Sequence, residues 1–219
     1  TCCWQMHPDE CELLVVRHGE TDYNIQGRIQ GQTDIPLNEV GLSQARDTAA
    51  HLAKAFPSCA EDPALGITAV YSSDLSRARA TAEVIAEAIG VGEVVARPGF
   101  RERHLGELQG YTRAEIREMG LSFGEDAPSG GESVQDLQAR AVASLEEVAK
   151  SHRGRRVLVV THGGTIHALY FACEGRHLPR GVSNCSISTL RAGGSRGFRS
   201  VRWCEAKHLQ HTSTGGDRG

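Results

Sequence analysis

The chain has 219 residues and a formal net charge of −3, with 39% hydrophobic and 23% charged residues. That length fits one domain of ordinary size with a sizeable core. The near-neutral charge argues against nucleic acid as the main partner. No apolar run approaches the ~20 residues that span a bilayer; the longest, Leu13–Val16 and Val157–Val160, are strand-sized. Seven cysteines, at 2, 3, 11, 59, 173, 185 and 204, form an odd set without CxxC or zinc-finger spacing. They read as reduced thiols in a cytoplasmic protein. The chain begins with Thr1, so a trimmed leader and an organellar location stay open.

Taken in chain order, residues 1–10 lack periodicity and read as a tail. Leu13–Val16 is a buried strand of β-branched and aliphatic residues that stops at Arg17-His18-Gly19. A polar, glycine-punctuated loop runs from Thr21 to Pro36. Leu37–Phe56 is helical, with Leu42, Ala45, Ala49, Leu52 and Ala53 on one face and Pro57 beyond its end. Ile67–Tyr71 is a second strand, and Ser72-Ser73-Asp74 offers N-cap chemistry to a helix from Leu75 to Ile89 that stops at Gly90. Val94–Ala96 is a short strand. Residues 111–131 mix a short helix with Gly124, Pro128, Gly130 and Gly131 and read as a mobile excursion or lid. Ser133–Ser151 is helical, Val157–Val160 is a strand ending at Thr161-His162-Gly163, and Thr165–Cys173 is a helix. Ile187–Arg191 and Phe198–Trp203, joined across Gly193-Gly194, form an antiparallel edge hairpin. Strands alternating with helices predict a three-layer α/β/α sandwich with a mostly parallel sheet. The expected organisation is a tail (1–10), one domain (11–209) and a disordered tail (210–219).

Two buried strands each deliver a histidine at the carboxyl end, where open α/β sheets bind ligands. One His-Gly after a strand is usually a satisfied turn; two copies, with Arg17 attached, point to two imidazoles facing one pocket. Arg77 lies in the first turn of its helix, and guanidinium forks match phosphate oxygens. Asn24 adds an amide and Glu102 a carboxylate able to serve as acid or base. There is no HExxH, Asp-rich magnesium pattern or P-loop. Phosphate handled by arginines and histidines without a metal points to a phosphohistidine. Blander readings stand beside these roles: structural ion pairs for Arg17 and Arg77, a surface salt bridge for Glu102, and a turn for Asn24. His167 is pocket wall or packing, His51 and His152 are solvated helix positions, His177 is a loop residue, and His208 is structural. Arg155-Arg156 reads as a solvated turn.

The ordered set Arg17-His18-Gly19-Glu20-Thr21-x-x-Asn24, Ile29-Gln-Gly31, Asp34-x-Pro-Leu37, Ser72-Ser-Asp-Leu-Ser-Arg77, Arg101-Glu102-Arg103, Gly130-Gly-Glu-Ser133 and Thr161-His162-Gly163 resembles the histidine phosphatase superfamily, also called the phosphoglycerate mutase-like family. The likeness covers roughly residues 11–209. It implies His18 as the nucleophile that becomes phosphohistidine. It implies Arg17, Arg77 and His162 gripping the phosphoryl oxygens, Asn24 and Gly163 at the substrate, and Glu102 as general acid and base. His18 must be neutral at Nε2 to attack, which the neighbouring arginines favour. Glu102 must begin protonated, which a neighbouring phosphate anion promotes.

The family divides between mutases, which return the phosphoryl group to substrate, and phosphatases, which give it to water. Glu102 and His162 are only 60 positions apart, without the insertion that mutases carry there. Leu105 stands where the mutase pattern has tyrosine. Gly130-Gly-Glu-Ser133 and Asn184-Cys-Ser-Ile187 resemble the phosphatase branch. The expectation is therefore a metal-independent phosphomonoesterase acting on a small phosphorylated metabolite, with no membrane or nucleic-acid partner. Alternatives are a phosphoglycerate mutase, which alone would use 2,3-bisphosphoglycerate, a fructose-2,6-bisphosphatase-like enzyme, a phosphoserine phosphatase, or a silent phospholigand-binding scaffold. Substrate choice is expected from Tyr23, residues 111–131, His167 and Asn184–Ser186. Arg103 and Arg113 are candidates for a second anionic group, with solvated surface as the alternative. The edge hairpin offers a homodimer contact.

Overall fold

The structure is a computed structural model that describes residues 7–60, 62–63, 65–122, 124, 126–193, 198–206 and 208–209. The expected tail at 210–219 lies outside the described residues. Strand β1 (Glu10–Arg17) is followed by the short helix α1 (Asp22–Ile25), α2 (Glu39–Ala55), β2 (Ile67–Ser72), α3 (Ser76–Ile89) and β3 (Val94–Ala96). Then come α4 (Arg113–Glu118), α5 (Val134–Ser151), β4 (Arg156–Thr161), α6 (Gly163–Glu174), β5 (Ile187–Gly193) and β6 (Phe198–Glu205). The sheet order is β3-β2-β4-β1-β5-β6, with β1, β2, β3 and β4 parallel and β5 and β6 antiparallel at one edge. The predicted sandwich, parallel centre and edge hairpin are therefore present.

Alternation along β1 separates two cores. Leu13 and Val15 pack with Leu145, Val148, Ile166 and Leu169 of α5 and α6. Leu14 and Val16 face the other way, onto Leu52, Ala78, Ala82 and Ile85 of α2 and α3. A central strand buried on both faces must be apolar at every position, which is why Leu13–Val16 reads as a continuous run. Each such aliphatic side chain contributes about 1.5–3 kcal/mol on burial.

This layering places the site. The chain leaves β1 over one face through α2, returns over the other face through α5, and inserts β4 beside β1. Helices after β1 and β4 therefore lie on opposite faces. The carboxyl ends of these strands form a topological switch point, where a crevice opens. In the register of the two strands Arg17 pairs with Thr161, so His18 and His162 follow side by side.

Four local expectations need correction. The Ser72-Ser73-Asp74 run does not supply a side-chain cap for α3: the N-cap is Leu75, without a side-chain bond. The Ser76 N–H donates instead to Asp34 Oδ1 from the distant loop at 2.8 Å. Arg156 is no solvated turn, because its Nε donates to Glu12 Oε1 with both side chains mostly buried. His152 is half-buried and hydrogen-bonded to the Tyr71 hydroxyl at 3.0 Å. Glu10 already belongs to β1, so the strand reaches into the expected tail.

The excursion after β3 has its own small core of Leu105, Leu108 and Ile116, with Ile29 and Leu121 against it. Its helix α4 starts on a capping box between Thr112 and Glu115. Five described cysteines, Cys11, Cys59, Cys173, Cys185 and Cys204, are free thiols. No helix among the described residues is long and apolar enough to cross a membrane.

Candidate active site

His18 continues β1, its backbone N–H still donating to the Thr161 carbonyl at 2.9 Å. Its Nδ1 lies 2.6 Å from the Gly19 carbonyl. That carbonyl can only accept, so Nδ1 carries the proton and Nε2 keeps a lone pair. Gly19 is required by close approach: a Cβ there would lie 2.5 Å from the Gly41 carbonyl oxygen at the start of α2. His162 is the N-cap of α6, and the two imidazole centroids are 5.1 Å apart. His18 is 2% and His162 0% exposed.

Burial depresses the pKa of both histidines well below 6.5, and the Arg77 and Arg17 charges add to it. The bond to Gly19 opposes the shift at His18 without reversing it. Both rings are therefore neutral at pH 7. Neither nitrogen of His162 has a hydrogen-bond partner among the described residues. A buried polar group left this way costs about 1–3 kcal/mol.

Arg77 lies in the first turn of α3 and is fully buried. Its Nη1 donates to the Thr33 carbonyl at 2.9 Å and its Nη2 to Gly31 at 2.7 Å. The loop thus orients the guanidinium while its Nε stays buried without a partner among the described residues. Burial lowers its pKa to about 10, opposed by Glu102 and Asp34, so it remains a cation at neutral pH. Arg17 ends β1 and donates through Nη1 to the Val182 carbonyl, which ties the loop before β5 to the pocket.

Glu102 comes from the connection after β3. Its Oε1 accepts from the Arg103 N–H at 2.8 Å and its Oε2 from the Gly164 N–H at 2.9 Å. The carboxyl group thus sits over the first turn of α6, fixed by two backbone N–H groups. Gly164 leaves room for that carboxylate: a Cβ there would lie 2.4 Å from Glu102 Oε1 and push the side chain away. At Gly163 a Cβ would only touch the Arg17 guanidinium, at 3.6 Å or beyond.

The structure therefore brings together Arg17, His18, Arg77, Glu102, His162 and Gly163. Asn24 stands at the rim with its Oδ1 committed to the Thr21 N–H at 3.1 Å and to Asn184 Nδ2 at 3.3 Å. These bonds, with the capping box that Asn24 forms with Thr21, are those of the turn reading. Asn184 Nδ2 also donates to the His18 carbonyl at 3.0 Å, so the 184–186 segment does border the nucleophile. Tyr23 reaches over Gly110, its hydroxyl 4.0 Å from where a Cβ would stand.

Arg103 is a correction. It is 6% exposed and donates to the carbonyls of Gly124, Asp126 and Glu132 at 2.6–2.9 Å. It holds the excursion together and presents no guanidinium to substrate. Gln32, Arg140, Thr161 and Thr165 bind the carbonyls of residues 99–102, a supporting role that sequence reasoning gave to none of them. Thr161 carried a signal as part of Thr161-His162-Gly163, and Glu132, their neighbour, as part of Gly130-Gly-Glu-Ser133.

A neutral imidazole with a lone pair on Nε2, a second imidazole, two guanidiniums and a carboxylate define a site for moving a phosphoryl group through a histidine. The comparisons agree: the family model of the histidine phosphatase superfamily (branch 1) matches residues 13–206, and the chain belongs to that family. It is 37% identical to the phosphoglycerate mutase-like protein 4 of Arabidopsis thaliana, over 96% of this chain and 94% of the relative. It is 39% identical to a metal-independent phosphoserine phosphatase of the same organism, over 90% and 83%. Among solved structures, a mycobacterial glucosyl-3-phosphoglycerate phosphatase in complex with VO3 superposes with a TM-score of 0.73 at 35% identity, covering 88% of this chain and 98% of that one.

Proposed function

We propose that the protein is a metal-independent phosphomonoesterase that hydrolyses a small phosphorylated metabolite through a phosphohistidine on His18. The observation that carries this reading is the buried pair His18 and His162, 5.1 Å apart between ring centroids and under the charges of Arg77 and Arg17, with the His162 ring nitrogens and the Arg77 Nε lacking partners among the described residues. In the first step the His18 Nε2 lone pair attacks phosphorus and the P–O ester bond breaks. The leaving oxygen takes a proton from Glu102. Arg17, Arg77 and His162 hold the charge of the phosphoryl oxygens in a water-poor site, where fixed donors act most strongly. In the second step water attacks phosphorus, Glu102 takes its proton, and the P–N bond breaks to restore neutral His18. Throughout, the bond from Nδ1 to the Gly19 carbonyl supports the positive charge that the ring acquires.

No group of three or more His, Cys, Asp or Glu fit to hold a metal ion occurs among the described residues, and the relative named as a metal-independent phosphatase supports the same chemistry here. Hydrolysis is preferred to mutase transfer because Arg103 is consumed by backbone carbonyls. Leu105, at the mutase tyrosine position, is buried in the excursion's apolar core, so it offers the pocket no hydroxyl. We place the enzyme in the cytoplasm, with no nucleic-acid or membrane partner, and assign dimer pairing, if formed, to the β6 edge. Phosphate release from phosphoserine, sugar phosphates and phosphoglycerates tests the reading. Running 3-phosphoglycerate with and without 2,3-bisphosphoglycerate separates the two fates. Free phosphate supports hydrolysis; 2-phosphoglycerate accumulating without phosphate overturns it.

A further inference from the structure

We propose that Arg140, locked by Glu132, is the positioning residue that holds Glu102 for its acid–base work. This inference rests on the reading of Glu102 given above. Arg140 lies on α5, 38 positions from Glu102 in the chain. A guanidinium has five N–H donors in a fixed plane, and every one of them is engaged. Nη1 donates to the carbonyls of Gly99 at 3.0 Å and Arg101 at 2.8 Å. Nη2 donates to the Glu102 carbonyl at 2.8 Å and to Glu132 Oε1, while Nε donates to Glu132 Oε2 at 3.0 Å. One planar group thereby gathers three carbonyls of the four-residue stretch that ends at Glu102.

Glu132 closes the device from the other side. Its Oε1 also accepts from the His104 N–H at 2.9 Å, and its own N–H donates to the His104 carbonyl at 2.9 Å. The stretch from 99 to 104 is thus held on both sides of Glu102 by one ion pair. A backbone pinned this way fixes where the Glu102 carboxylate stands over Gly164. The bonds of Arg140 and Glu132 fall on the backbone around Glu102, and Arg140 reaches the phosphoryl-binding groups through its charge at His162, so Glu132→Gln and Arg140→Lys, which keep that charge, should act on proton transfer and leave anion binding intact. A lysine cannot substitute, since a point ammonium lacks the planar fork.

The test compares Arg140→Lys, Arg140→Met and Glu132→Gln with Glu102→Gln and the wild type. Each is assayed on an alkyl phosphate (phosphoserine or glycerol phosphate) and on p-nitrophenyl phosphate, whose leaving anion needs no proton. Misplaced Glu102 should cut kcat/KM on the alkyl ester by about 10–100-fold, within the range general acid catalysis supplies, and on the aryl ester by less than about 3-fold. Because hydrolysis of the phosphohistidine also needs Glu102, the variants should release p-nitrophenol in a burst that the wild type lacks. Affinity for inorganic phosphate should stay within about 2-fold of wild type in Arg140→Lys and Glu132→Gln. Equal losses on both esters, weakened phosphate affinity in those two, or no burst in any variant that retains the wild-type circular dichroism overturns the inference. Should Arg140→Met fail to fold, Arg140→Lys and Glu132→Gln decide by the same criteria. If Glu102→Gln itself shows no leaving-group dependence, the failure lies in the reading of Glu102; if it does and the Arg140 and Glu132 variants do not, only the present inference fails.

Discussion

Gly164→Ala probes the position of Glu102 with one methyl group. The new Cβ would lie 2.4 Å from Glu102 Oε1, 3.1 Å from its Cδ and 3.3 Å from Oε2. Ordinary contact begins near 3.4 Å, so the carboxylate must retreat by about 1 Å, a displacement that costs about 100-fold in rate when it falls on a reacting group. That corresponds to about 2.7 kcal/mol of transition-state stabilisation. The Gly164 N–H that Glu102 accepts survives the substitution, and alanine suits a helix better than glycine, so stability should hold or rise. Gly163→Ala is the matched control, because its Cβ meets only the Arg17 guanidinium at ordinary distance. Steady-state kinetics on an alkyl phosphate, with thermal midpoints for all three proteins, should show about a 100-fold loss in kcat/KM for Gly164→Ala and less than about 5-fold for Gly163→Ala. Equal activities in the two variants would refute the claim that Glu102 acts from the observed position.

Arg77→Lys should lower kcat/KM by at least about 100-fold, as loss of a fixed transition-state donor does, because a lysine cannot bond Gly31 and Thr33 while also facing the phosphoryl group; isothermal titration with inorganic phosphate checks it, and unchanged affinity contradicts it. Neutral His18 and His162 also make stability depend on pH. Their folded pKa values are depressed below 6.5, so the unfolded chain binds more protons at acid pH. The stability they permit is complete above pH 6.5 and falls as pH drops from there toward the folded values, by at most about 1.4 kcal/mol per unit for each ring. Denaturant unfolding at pH 7.5 and 5.5 should show a smaller acid loss in His162→Asn than in wild type; identical losses refute the burial argument. Leu14→Ala, in the core shared by β1, α2 and α3, should cost about 2–5 kcal/mol in the same assay, and a cost near zero contradicts the double-sided burial of β1.

Much of the fold was legible because period and composition coincide with burial. The β-branched runs at 13–16 and 157–160 are strands because both sheet faces are covered, and their chain positions put two histidines at one switch point. Gly90, in the left-handed conformation at φ 73°, ends α3 where the sequence placed its stop. What escaped is tertiary bonding to backbone carbonyls, which carry no side-chain signature. Arg140 looks like any arginine on an amphipathic helix until the fold brings the carbonyls of 99–102 within reach. Arg103 is the converse case, since its charge invited an anion and the folded excursion supplied three carbonyls. Asp34 capping α3 across 42 positions is equally invisible along the chain, as is the pairing of Arg156 with Glu12.

The most direct measurement is to trap and map the phosphorylated intermediate. The enzyme is mixed with a labelled phosphomonoester, quenched within milliseconds, and digested for mass spectrometry at neutral or alkaline pH. The neutral Nε2 lone pair of His18 predicts an acid-labile, base-stable phosphate on His18 in the wild type, its accumulation in Glu102→Gln with an aryl ester, and none in His18→Ala. Label on another residue, or persisting after His18→Ala, would contradict the assignment of His18 as nucleophile.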